Sequence, residues 1–119
     1  MGLRPYEKLI AWQEALRLSL RTYQITKTFP GDERYCMTQQ MRKSSTSVCN
    51  NIAEGNAKRS KDDRSRFIDI ALGSVEELHC QYRISLELHY IDRKTFDEID
   101  QQIHRVSYLA TKLRAALHI

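Results

Sequence analysis

Between Phe96 and Leu117 the apolar residues Phe96, Ile99, Ile103, Val106, Ala110, Leu113 and Leu117 fall at spacings of 3, 4, 3, 4, 3 and 4. Residues so spaced line one side of an α-helix, and a helix with one apolar side must bury it against a partner. Three earlier segments, at about 6–28, 33–57 and 61–90, carry the same period. In the first, Leu9, Trp12, Leu16, Leu20 and Tyr23 form one stripe, and Ala11, Ala15, Leu18, Thr22 and Ile25 form the next. Together they predict a buried face wider than one partner helix covers. The second segment repeats Met37, Met41, Ser44 or Ser45, Val48, Ile52 and Gly55. The third repeats Phe67, Ala71, Ser74, Leu78, Tyr82 and Ser85, flanked by Ile68, Leu72, Val75 and Leu86.

The breaks between segments are short. Phe29-Pro30-Gly31-Asp32 ends the first helix and places Asp32 to cap the second. Ser60 and Asp63 make an imperfect capping box for the third; Thr95 and Glu98 make a full one for the fourth, at about 96–117. Tight connections make consecutive long helices antiparallel. The expected fold is therefore all-α, an antiparallel up-down-up-down four-helix bundle in a single domain spanning residues 1–119. Four Gly and two Pro are too few for the turns of a β-sandwich or barrel. If the second and third helices turn near residues 59–60, Ser45 faces Ser74, Thr46 faces Gly73, Val48 faces Ala71 and Met41 faces Leu78.

The three cysteines, Cys36, Cys49 and Cys80, are odd in number and lack C-x-x-C spacing, so they are expected to be small buried residues in a reducing compartment. No signal peptide and no run approaching 18 apolar residues is present. The expected location is cytoplasmic, with no membrane contact.

Net charge is +4, and all of it is local. Between Arg42 and Arg66 seven basic residues (Arg42, Lys43, Lys58, Arg59, Lys61, Arg64, Arg66) face three acidic ones, while the rest of the chain balances at twelve against twelve. A cationic patch of this kind attracts polyanions, and symmetric repetition in an oligomer would multiply it. No base-reading module is visible, so binding of this kind would be indifferent to sequence.

Ser44-Ser45-Thr46-Ser47 with Asn50 and Asn51 places six weak interior helix formers in one stretch of helix. Small residues there would let the second and third helices approach closely, which would also account for Gly73 in mid-helix. Alternatively, since one core stripe cannot hold them all, some line a subunit interface or a polar channel. Hydroxyls can in either case satisfy themselves on the i−4 carbonyl. The surplus of small residues and the broad face of the first helix both predict self-association.

Catalysis finds no support. Glu76-x-x-His79 is half of a di-iron signature, but no second copy exists, and no G-x-S-x-G elbow or Gly-rich phosphate loop is present. No enzyme activity, cofactor or metal is expected.

The ordered blocks YEKLIAWQEA (6–15), FP (29–30), QMRKS (40–44), NNIAEG (50–55) and RFIDIALGSVEEL (66–78) closely resemble the 23S rRNA intervening-sequence protein family, also called the bacterial four helix bundle or S23 ribosomal protein group. The resemblance runs from Tyr6 to about Leu117. It implies a small antiparallel bundle assembling as a homopentameric ring. Relatives include genes lodged in rRNA gene insertions, and the accessory variability proteins of diversity-generating retroelements, which bind nucleic acid and a reverse transcriptase. Most members have Arg-Arg at Arg42-Lys43; the lysine here keeps the charge and loses the bidentate fork.

Together these features predict a non-enzymatic, oligomeric scaffold that binds RNA or DNA through Arg42, Lys43, Lys58, Arg59, Lys61 and Arg64. Asn50, Asn51, Glu54, Gly55, Gly73 and Ser74 carry the family motif and the expected interface, with Glu54 a candidate partner for Arg42, Arg64 or Arg66. The alternative is a protein-interaction module, for example one docking a reverse transcriptase, without direct nucleic-acid binding.

Overall fold

The computed structural model describes residues 2–117. Among them are four long helices and no strand: α1 (Ile10–Thr26), α2 (Met37–Ala57), α3 (Lys61–Glu87) and α4 (Arg93–Ala116), with 3-10 turns at Pro5–Lys8 and Gly31–Glu33.

Cross-links between helices define their directions. Ser19 meets Ser45 and Thr26 meets Arg42 between α1 and α2. Ser47 meets Ser74 and Met41 meets Ser85 between α2 and α3. His79 meets Asp100 and Asp69 meets Arg114 between α3 and α4. Arg21 pairs with Glu98 and Glu14 with Arg105, closing α4 onto α1. In every pairing a later residue on one helix meets an earlier one on the other, so all four neighbours run antiparallel. The result is an up-down-up-down four-helix bundle of 44 × 30 × 21 Å.

Local chemistry sets the helix ends, and four of them differ from expectation. α1 begins at Ile10 rather than near residue 6, because the extended Leu9 separates it from the 3-10 turn at Pro5–Lys8. Asp32 caps nothing: it lies inside the Gly31–Glu33 turn, and α2 begins at Met37, where Cys36 offers no side-chain cap. The fourth helix starts one turn before the expected box, at Asp92, whose carboxylate accepts the Thr95 N–H at 2.8 Å. That bond holds the Asp92 carboxyl below its ordinary pKa. α3 ends early, at Glu87, because His89 takes a left-handed φ of 61°. The His89 N–H reaches the Leu86 carbonyl and the Tyr90 N–H reaches that of Ser85, the double closure of a Schellman motif. Ser60 does cap α3, accepting from the Asp63 N–H at 3.1 Å.

The core contains Leu18, Met41, Val48, Ile52, Leu78, Tyr82, Ile99 and Val106, all fully enclosed. Each such side chain contributes about 1.5–3 kcal/mol relative to exposure. On α1 the buried residues are Ser19 and Thr26, together with Ala11, Ala15, Leu18 and Thr22 of the alanine stripe. Leu9, Trp12 and Leu16 pack at its margin, whereas Leu20 (57% exposed) and Tyr23 stand in solvent. The broad face of α1 is thus only half covered within one chain. Of the cysteines only Cys49 is buried, and burial pushes its thiol up to about 11; Cys36 and Cys80 are exposed, contrary to expectation.

Candidate nucleic-acid interface

The six cations singled out in the sequence fall into two groups at opposite ends of α2. Arg42 and Lys43 lie about 24 Å from Lys58, at 1.5 Å of rise per residue. The second group occupies the turn between α2 and α3. There Arg64 Nε donates to the Lys58 carbonyl at 2.7 Å, so its guanidinium closes the end of α2. Lys58 Nζ stands 5.1 Å from the centre of the Phe67 ring. Arg66 also packs on Phe67 and pairs with Asp63 at 3.6 Å. Arg59 and Lys61 are exposed and have no hydrogen-bonding or ion-pair partner among the described residues. The turn therefore presents Arg59 and Lys61 outward, with Lys58 half-buried against Phe67 and Arg64 as its internal strut.

At the other end, Arg42 Nε donates to Thr26 Oγ1 at 2.9 Å and its terminal nitrogen reaches the Tyr23 carbonyl at 3.4 Å. Its guanidinium lies over the Tyr23 ring, 4.7 Å from the centroid. Arg42 thus fastens the end of α1 to α2 while half-buried, and Lys43 beside it is exposed, with no hydrogen-bond or ion-pair partner among the described residues. The sequence reading missed three further residues at this place. Tyr23, Arg34 and Tyr35 join Arg42 and Lys43 around a cleft of about 430 Å³. Adjacent Arg34-Tyr35, a cation next to an aromatic in a helix break, was the available signal.

The serine-rich tract satisfies itself. Ser44, Ser45 and Thr46 donate to the carbonyls of Gln40, Arg42 and Arg42, and Asn51 donates to the Ser47 carbonyl at 2.8 Å. Its register against α3 differs from expectation: Ser74 bonds Ser47 at 2.8 Å, and Ser45 turns instead to Ser19 on α1. Close approach of α2 and α3 occurs at Gly55, where a Cβ would stand 3.0 Å from Phe67 Cβ and 3.4 Å from the Arg64 carbonyl oxygen. Gly73 does not serve that purpose. It is exposed, and a Cβ there would meet nothing within 4 Å.

Asn50 and Glu54 face solvent, and Glu54 pairs with none of Arg42, Arg64 or Arg66. Across a shallow groove containing Lys43, Ser47, Ser74 and Glu77, the outer side of α3 exposes Ile70, Gly73, Ile84 and Leu88. His79 bonds Asp100 at 2.8 Å, and no group of three or more metal-binding side chains gathers among the described residues. No helix among them is long and apolar enough to cross a membrane.

No curated protein matches the chain. Among solved structures, a protein of unknown function from the S23 ribosomal protein family of Bacteroides thetaiotaomicron superposes with a TM-score of 0.82. It shares 20% identity, and the match covers 89% of this chain and 96% of that one. At that identity the likeness speaks for the fold. Residues 7–112 match the family described as 23S rRNA-intervening sequence protein, and this chain belongs to that family.

Proposed function

We propose that the protein is a non-enzymatic, oligomeric scaffold that holds RNA or DNA through rings of cations contributed by identical subunits. The single observation that carries this is the α2–α3 turn, where Arg59 and Lys61 project, Lys58 packs half-buried on Phe67, and no carboxylate among the described residues is bound to any of the three. Charges already engaged by acidic neighbours release few counterions on binding a polyanion, whereas free ones release their full share. A ring of five subunits would multiply one modest turn into a continuous cationic rim. Membership of a family named for 23S rRNA makes RNA the first polyanion to test.

The test is a filter-binding titration of RNA and DNA across salt, with the parent and a Lys58→Glu/Arg59→Glu/Lys61→Glu variant. The parent is expected to bind with a log–log salt slope of several units, about −0.9 per duplex phosphate neutralised. The variant is expected to lose most of that slope. Negligible binding by the parent at low salt would end the proposal.

A second use is favoured by the uncovered apolar residues Ile70, Ile84 and Leu88 on α3, which suit a protein partner such as a reverse transcriptase. Partner capture that survives the triple charge reversal, in a parent that binds no nucleic acid, would select it.

A further inference from the structure

The cleft formed by the end of α1 and the start of α2 has a composition that the turn cluster lacks. Tyr35 is 77% exposed, the largest exposure of any aromatic ring among the described residues. Arg34 packs 5.6 Å from its centre, and Arg42 lies over Tyr23 on the other side of the cleft. Lys43 adds a third cation, and no carboxylate lines the space. A second hollow of about 290 Å³ adjoins it, sharing Arg34, Thr38 and Arg42 and adding Lys27, again without a carboxylate. Two hollows in series, each walled by cations, make a track rather than a closed pocket. Glu33, the nearest acid in sequence, is turned away and accepts the Tyr90 hydroxyl at 2.9 Å.

We propose that this cleft binds a single-stranded segment of nucleic acid, with a base stacked on Tyr35 and the flanking phosphates held by Arg34, Arg42 and Lys43. The proposal rests on the nucleic-acid function above and names the form of nucleic acid recognised. An exposed ring has a free π-face, which an unstacked base can cover and a base inside a duplex cannot. Arg34, which lies over one face of Tyr35, and Arg42 and Lys43 elsewhere in the cleft lining reach the backbone of a base stacked on the other face. Stacking accepts any base, so the site discriminates strandedness and not sequence. The volume of the first hollow falls within the range of small-ligand sites and suits one nucleotide unit.

The experiment compares parent, Tyr35→Ala, Tyr35→Trp and the triple turn reversal by fluorescence anisotropy. The probes are labelled oligothymidylate and oligouridylate of about 12 nucleotides, and a hairpin duplex of similar length. Tyr35→Ala is expected to weaken binding of the single strands about 5- to 100-fold while leaving the duplex affinity and the salt slope unchanged, because no charge is removed. Tyr35→Trp is expected to keep or tighten single-strand binding. Tyr35 is so exposed that neither change threatens folding. Parental single-strand affinity in Tyr35→Ala would overturn the inference, as would an equal loss on single strand and duplex. In both cases a parent whose duplex binding depends on the turn lysines leaves the wider function standing. A parent that binds no probe at low salt sinks both.

Discussion

Tyr82 shows how this bundle tolerates polar groups in its centre. Its side chain is fully buried, and its hydroxyl lies 2.7 Å from Thr22 Oγ1. Thr22 commits its own proton to the Leu18 carbonyl at 2.9 Å, so the tyrosine must donate to the threonine. Burial pushes the Tyr82 phenol up to about 12. Removing either partner therefore has unequal effects. Tyr82→Phe takes away one hydrogen bond and leaves Thr22 still bonded to Leu18, costing about 0.5–1.5 kcal/mol. Thr22→Val keeps the volume but strands a buried hydroxyl, costing about 1–3 kcal/mol. Urea unfolding of the two variants and of the double mutant is expected to give that order, with the double mutant less destabilised than the sum. The reverse order would mean that the tyrosine hydroxyl has another partner.

At the scale of the helix, periodicity was legible and punctuation was not. The stripes from Phe96 to Ala110 and from Met41 to Gly55 are buried as their spacing requires, because burial of an apolar side is a property summed over many residues. A boundary depends on one or two hydrogen bonds, and several residues compete to make them. Thr95 with Glu98 fits a capping box by composition, yet Asp92, three residues earlier, accepts the Thr95 N–H and starts the helix there. Thr95 consequently sits within the first turn. Asp92→Ala is expected to lower the melting temperature at neutral pH, and Thr95→Ala, which removes the hydroxyl beside Asp92 but keeps the backbone N–H, to lower it less. The Asp92 effect has a defined pH dependence. Its folded pKa is lowered, so its contribution is present above the unfolded carboxyl value of about 3.9 and disappears as pH falls through the folded one. Melting curves from pH 7 downward should show parent and Asp92→Ala converging below that point. A constant gap throughout would mean that the charge plays no part in the cap.

For the whole molecule, the two helical glycines, Gly55 near the end of α2 and Gly73 in the middle of α3, separate packing within a chain from packing between chains. From composition alone Gly73 looked like the close-contact residue, because a glycine inside a helix costs about 1 kcal/mol and calls for a reason. Within one chain the reason belongs to Gly55, which abuts Phe67 and the Arg64 carbonyl, while Gly73 opens outward beside Ile70 and Ile84. No count of sequence spacing could assign the two, since that depends on the rotation of α2 against α3, which the Ser47–Ser74 bond reports. The splitting of the cations into two clusters was hidden for the same reason. It took the length of α2 to put Lys43 and Lys58 at opposite ends. Gly55→Ala must push a Cβ into contacts of 3.0 and 3.4 Å, so it is expected to destabilise the fold by about 1–3 kcal/mol. Gly73→Ala adds its methyl to open space and improves helix propensity, so the isolated bundle should gain up to about 1 kcal/mol. If a neighbouring subunit, rather than a foreign protein, covers this side of α3, as the expected interface at Gly73 and Ser74 requires, that methyl enters the contact. Light scattering should then give a parent mass several times 14.0 kDa, and a smaller particle for Gly73→Ala despite its more stable subunit. A parent that stays at 14.0 kDa at micromolar concentration, with Gly73→Ala simply more stable, would leave the outer side of α3 without a partner copy and reduce the cationic rim to one subunit's few charges.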